Sequence, residues 1–239
     1  MASSSITSGS VAGIGATTDD VISGDTIATA TVATDDKVII QDTNDSDNVK
    51  TVTAQSIADL SSGGGGLIFL GAQTASASAS LDFESLIDST YDTYVFHIEG
   101  IRIANASQSL VMRTSTDNGT TYDSIANDYH DCGMRVATSG TTAGFGTTTG
   151  TYIRISSDLA AETGADDTVN GTVKLFIPSN AATETMVKYE ITYNHSTGSV
   201  CVTGAGKRAA AEDVDAVQFL ASSGNLTSGS IRLYGVSKS

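Results

Sequence analysis

Apolar and polar positions alternate with a period of two through most of the second half of this chain. In "TYVFHIE", Tyr94, Phe96 and Ile98 fall on one side and Val95, His97 and Glu99 on the other. "MVKYEITYN" places Val187, Tyr189, Ile191 and Tyr193 together, opposite Lys188, Glu190 and Thr192. "TVKLFIP" predicts Val173, Leu175 and Ile177 inward, and "SIRLYG" predicts Ile231 and Leu233 inward. This is the pattern of antiparallel strands with one buried face. Turn-forming clusters ("DNG", "VNGT", "STGS", "SSGN") separate the runs, and Asp117-Asn118-Gly119 reads as a hairpin turn because Asn and Gly tolerate positive φ. The expected fold is all-β, a jelly-roll-like antiparallel β-sandwich over residues 67–239. "LDFESLID" reads as one short helix within it. The last strand is expected near the centre of its sheet, because Ile231 and Leu233 need burial.

The first part has a different texture. Residues 1–34 are rich in Ser, Thr, Ala and Gly with scattered single Val and Ile, too few to bury a core alone. They read as either disordered or an extended docking segment held by partner chains. Residues 35–62 read as a stem of strand, acidic turn and short helix. Thr53 is its N-cap, and Val52 and Ile57 are spaced as a hydrophobic staple. Residues 63–66 are a glycine linker. A weak repeat relates "TDDVISGDT" to "TDDKVIIQDT". Two copies fall short of a solenoid.

Composition narrows the function. The 239 residues include 27 acids and 12 bases, a net charge of −15. That balance argues against nucleic acid, which is bound by concentrated positive charge. No run approaches the ~20 apolar residues of a membrane helix, and the N-terminus lacks the features of a signal peptide. Single cations recur at outward strand positions: Arg102, Arg113, Arg154, Lys174, Lys188 and Arg232. They read as edge protection, or alternatively as a charge-paired subunit interface. Cys132 and Cys201 leave their pairing open.

Candidate chemistry is sparse. "DYHDC" puts His130 and Cys132 on one face of a strand and Asp131 on the other, so no acid–base–nucleophile set converges. "DTNDSDN" (Asp42 to Asn48) starts like a calcium loop but lacks its glycine and its terminal glutamate. "DLAAETGADD" (Asp158 to Asp167) reads as a solvated acidic loop. "GAGK" (Gly204 to Lys207) is too short for a phosphate loop. No catalytic set, cofactor or metal site is expected. A sugar platform would use Tyr122, Tyr129 and Phe145, the aromatic residues beside polar loops.

One resemblance stands beside this reading. "LIFLGAQTASASASLDFESLIDSTYDTYVFHIEGIRIA", "LVMRTSTDNGTTYDS", "NDYHDC", "GTVKLFIPSN" and "SSGNLTSGSIRLYGVSKS" follow in order. Together they resemble the β-rich distal domain of tail-fibre and related appendage proteins of tailed bacteriophages. Residues 35–60 are similar to stem segments of such fibres. The resemblance implies a non-enzymatic virion protein on the tail or capsid surface, made in the host cytoplasm. It implies self-association as a homotrimer, docking to other virion proteins through the N-terminal segment, and a head that meets a host surface glycan or protein. A head fibre, a capsid decoration protein and a stand-alone carbohydrate-binding module are the alternatives.

Overall fold

The computed structural model of the chain describes residues 33–42, 48–57, 66–156, 168–195 and 198–238. They fall into two compact units, one within Met1–Asp59 and the other within Leu60–Ser239.

The described residues of the first unit form a β-hairpin followed by one helical turn. Strand β1 (Lys37–Asp42) pairs antiparallel with β2 (Asn48–Thr53), Lys37 opposite Thr53 and Asp42 opposite Asn48. The second strand was not expected from the sequence. "NVKTVT" alternates Val49 and Val52 imperfectly, so its own pattern does not announce the strand that pairs with β1. A helical turn follows over residues 54–57. Thr53 caps it as expected: its Oγ1 accepts the Ser56 N–H at 3.1 Å. The first copy of the weak repeat and most of "DTNDSDN" lie outside the described residues, as does the cluster from Asp158 to Asp167.

The second unit is an antiparallel β-sandwich. Its large sheet runs β3 (Leu67–Thr74), β14 (Leu226–Val236), β5 (Thr93–Ile103), β10 (Val169–Phe176), β11 (Met186–His195), β12 (Gly198–Arg208), β7 (Tyr129–Ala137), β8 (Thr142–Gly150). The small sheet runs β4 (Ser80–Phe83), β13 (Ala216–Ala221), β6 (Leu110–Ser115), β9 (Ile153–Arg154). The alternating residues read from the sequence face the seam between them. Tyr94, Phe96, Ile98, Val173, Leu175, Ile231 and Leu233 are fully buried. Phe83, Phe96 and Phe219 meet edge to face across the two sheets, with ring centroids 5.0 to 6.3 Å apart.

Several expectations need correction. "LDFESLID" is not helical: Leu81 and Phe83 point into the core from β4, which pairs with β13, and Glu84 onward is loop. The small sheet needs an edge there, and period-two burial overrides helix propensity. β14 is flanked by β3 and β5, so it is second from an edge rather than central. Ile177 does not point inward. The strand ends at Phe176, and Ile177 takes a left-handed φ of 49° at 48% exposure, its N–H donated to the Asp92 carbonyl. The Asp117-Asn118-Gly119 turn has the expected positive φ at Asn118 and Gly119 (58° and 82°). It does not close a hairpin, since β6 leads into a loop that crosses to β7 in the other sheet.

Five of the six outward cations lie on interior strands rather than at edges. Arg102, Lys174, Lys188 and Arg232 sit on interior strands of the large sheet, and Arg113 on an interior strand of the small one. Of the six, Arg154 alone occupies an edge strand, the two-residue β9.

Candidate functional site

The end of the large sheet formed by β12, β7 and β8 gathers most of the unusual chemistry. Strand alternation sends His130 and Cys132 of β7 to the outer face, where Lys207 and Ala205 of β12 lie opposite them. With Met186 and Thr148 they line an open, largely apolar hollow of about 310 Å³. Lys207 is held at its rim by Glu184, Nζ to Oε2 at 2.6 Å. The volume is at the lower end of the range for ligand pockets. It suits a small apolar group or an inserted side chain. Met186 is the member that sequence reading missed; its place opposite Lys207, one strand further on, follows from the β11–β12 register.

Glycines shape the inner side of the same strands. A Cβ on Gly204 would lie 2.2 Å from the Tyr189 hydroxyl, and one on Gly133 would lie 2.5 Å from the Phe145 ring. The absent side chains leave room for the Tyr189 ring, which is 1% exposed. Burial pushes the Tyr189 hydroxyl above the usual range, with the Asp131 charge adding to it.

Two charges are buried nearby. Asp131 faces inward; its Oδ2 accepts the Arg154 N–H at 3.0 Å, while Oδ1 has no partner. Desolvation raises its pKa, opposed by the Arg154 N–H and guanidinium. Arg208 is closed in by Asp123, Glu212 and the Thr114 hydroxyl. This pins the β6–β7 loop to the end of β12. The loop has its own clasp: Asp117 accepts from the Thr121 hydroxyl, the Thr121 N–H and the Ser115 hydroxyl, which hold its carboxyl down to about 2.

The three residues expected to form a sugar platform do not share an exposed face. Tyr129 is fully buried. Its hydroxyl accepts the Thr114 N–H at 2.8 Å and reaches the Asp123 carbonyl at 3.2 Å, so it is a core anchor. The β7 register that sends His130 outward sends Tyr129 inward. Tyr122 is half-buried in the loop with its hydroxyl enclosed; burial and the nearby Asp82 and Glu84 charges raise its pKa. Phe145 is half-buried against the core, with the Arg154 guanidinium 4.9 Å over its ring.

Cys132 and Cys201 are both exposed and free. Cys132 pairs with Ala205 and Cys201 with Val136, four positions apart along neighbouring strands. That is about 13 Å, well beyond the ~7 Å a disulfide spans. Among the described residues, no group of three or more His, Cys, Asp or Glu side chains converges to hold a metal ion. No described helix is long and apolar enough to cross a membrane.

No protein-family model matches this chain, and no curated protein sequence does.

Proposed function

We propose that this chain is a non-enzymatic structural protein of a bacteriophage particle, a short fibre. It would be anchored through its N-terminal part and project the sandwich as a head for attachment to the host. The reading starts from the sequence resemblance. The observation that carries it further is the contrast between the two units. The sandwich has a closed core of its own, drawn from both sheets. The first unit has a two-stranded hairpin and one helical turn among its described residues. An isolated two-stranded hairpin is marginal in water, so a stem of this kind gains its stability from partners. Copies of the same chain are the partners a fibre supplies, and a homotrimer is the assembly the resemblance implies.

A stand-alone carbohydrate-binding module has less support, because Tyr129 is buried and Phe145 packs inward beneath Arg154. The test is the native mass of the full-length protein beside a chain starting at Gly66. A trimer that dissociates without residues 1–65 supports the fibre with an assembling stem. A full-length protein that stays monomeric at high concentration would overturn the reading.

A further inference from the structure

Sheet edges are where β-proteins risk joining one another, and most blunt them with charge, proline or short strands. The two sheets of this sandwich treat their edges differently. The small sheet ends on β4 and β9, four and two residues long, carrying Asp82 and Arg154. The large sheet ends on β3, "LIFLGAQT", and β8, "TAGFGTTTG", eight and nine residues long. Neither holds a charged residue or a proline. Every one of the six interior strands of that sheet carries at least one Lys or Arg. Charge has been placed where pairing is already satisfied and withheld where it is open.

The register identifies the open groups. Ala75 N–H bonds to the Gly229 carbonyl across β14, in line with Thr74 opposite Ser230. Antiparallel pairs alternate between bonded and non-bonded, so the Ala72 and Thr74 N–H groups point away from the sheet. Ala137 N–H bonds to the Thr141 carbonyl, in line with Arg135 opposite Ala143. The Thr142, Gly144 and Gly146 N–H groups therefore point outward from β8.

We infer that β3 of one copy pairs with β8 of the next, so that the large sheets of successive copies join edge to edge. This rests on the self-assembling fibre reading and names its contact in the head. Three observations select a second copy as the occupant. Two bodies of charge −15 repel, and their closest approach is easiest along surface that carries no charge. All neighbours in the eight-stranded sheet are antiparallel, so β3 and β8 run in opposite directions. Rotation about an axis along the strands then brings β3 against β8 antiparallel, the pairing the sheet already uses. Both edges are free of charge; a two-fold β8–β8 contact would use one and leave the other exposed. Leu67 and Phe69, 56% and 57% exposed on β3, add apolar area to the contact. Such a head-to-tail contact closes into a ring when the rotation permits.

The test uses two full-length variants, Ala72→Pro on β3 and Gly144→Pro on β8. Each removes one outward N–H and leaves the internal ladder intact, as proline does on edge strands. Gly144 has room, its added Cβ meeting nothing nearer than 3.9 Å. Each contact needs one sound β3 and one sound β8. The stem's two-stranded hairpin is too marginal to hold copies together without the head contact, so each variant alone is expected to fall about threefold in native mass from a trimer, and an equimolar mixture is expected to form a one-to-one dimer. Loss of mass by Gly144→Pro alone, with Ala72→Pro still paired and no complementation, would indicate a two-fold contact and overturn the proposal. Two variants that both keep the wild-type mass would overturn it and leave the fibre reading standing. A wild-type monomer would overturn both. If a proline variant loses its cooperative melt, Thr74→Lys and Thr142→Lys, both exposed and both on outward-facing backbone, make the same comparison.

Discussion

Substituting Gly204 by alanine tests the packing at the centre of the β11–β12–β7 region. Gly204 lies opposite Tyr189 on one side and Gly133 on the other. An added Cβ would lie 2.2 Å from the Tyr189 Oη, 2.4 Å from its Cζ and 2.6 Å from the Cys132 carbonyl oxygen. Two of these belong to the rigid side chain of Tyr189, a residue 1% exposed, and the third is strand backbone. None yields as a flexible chain end does. Alanine recovers about 0.5–1 kcal/mol of backbone entropy relative to glycine, while overpacking a core costs about 1–3 kcal/mol. The net expectation is a loss of about 1–2 kcal/mol. Gly144→Ala is the control: it meets nothing nearer than 3.9 Å and is expected to be neutral or slightly stabilising. Urea unfolding at one fixed protein concentration, followed by far-UV circular dichroism, measures both. Tyr189→Phe removes the closest atom, so the double variant should recover at least ~0.5 kcal/mol beyond additivity. A Gly204→Ala protein as stable as Gly144→Ala, or strict additivity with Tyr189→Phe, would refute this account of the glycines.

Two further outcomes follow from burial. Removing residues 230–239 takes away Ile231 and Leu233, each fully buried, at about 2–5 kcal/mol apiece. It also takes most of the strand that ties β3 to the sheet; against a total stability of about 5–15 kcal/mol the sandwich should lose its cooperative melt, and a retained sharp transition would contradict the placement. Asp131→Asn addresses the buried carboxyl. Desolvation raises its folded pKa above 3.8, so its contribution to stability is fullest below the unfolded pKa and declines as pH rises through the folded one. The asparagine variant should therefore gain on the wild type between pH 4 and pH 7 in urea titrations, and a pH-independent difference would count against an ionised, poorly solvated Asp131.

Much of the sandwich was legible in the chain. Tyr94, Phe96, Val173, Leu175, Ile231 and Leu233 announced their burial because a strand presents alternate residues to one face, whatever its partners are. The Thr53 cap was legible for a similar reason, since capping is a contact within four residues. Tertiary structure decided what depends on distant neighbours. "LDFESLID" could be helix or strand by local preference; β13 made Leu81–Phe83 strand, and Glu84 onward is loop. Tyr129 is as aromatic as an exposed platform residue, and the β7 register alone buried it. The outward cations had the right face but not a known strand order; the order put five of the six on interior strands, four of them in the large sheet, while β3 and β8 became that sheet's bare edges. Periodicity fixes which way a side chain points, because that is geometry along one strand. Which strand lies beside which is set by packing across the whole core, and no local pattern carries that information.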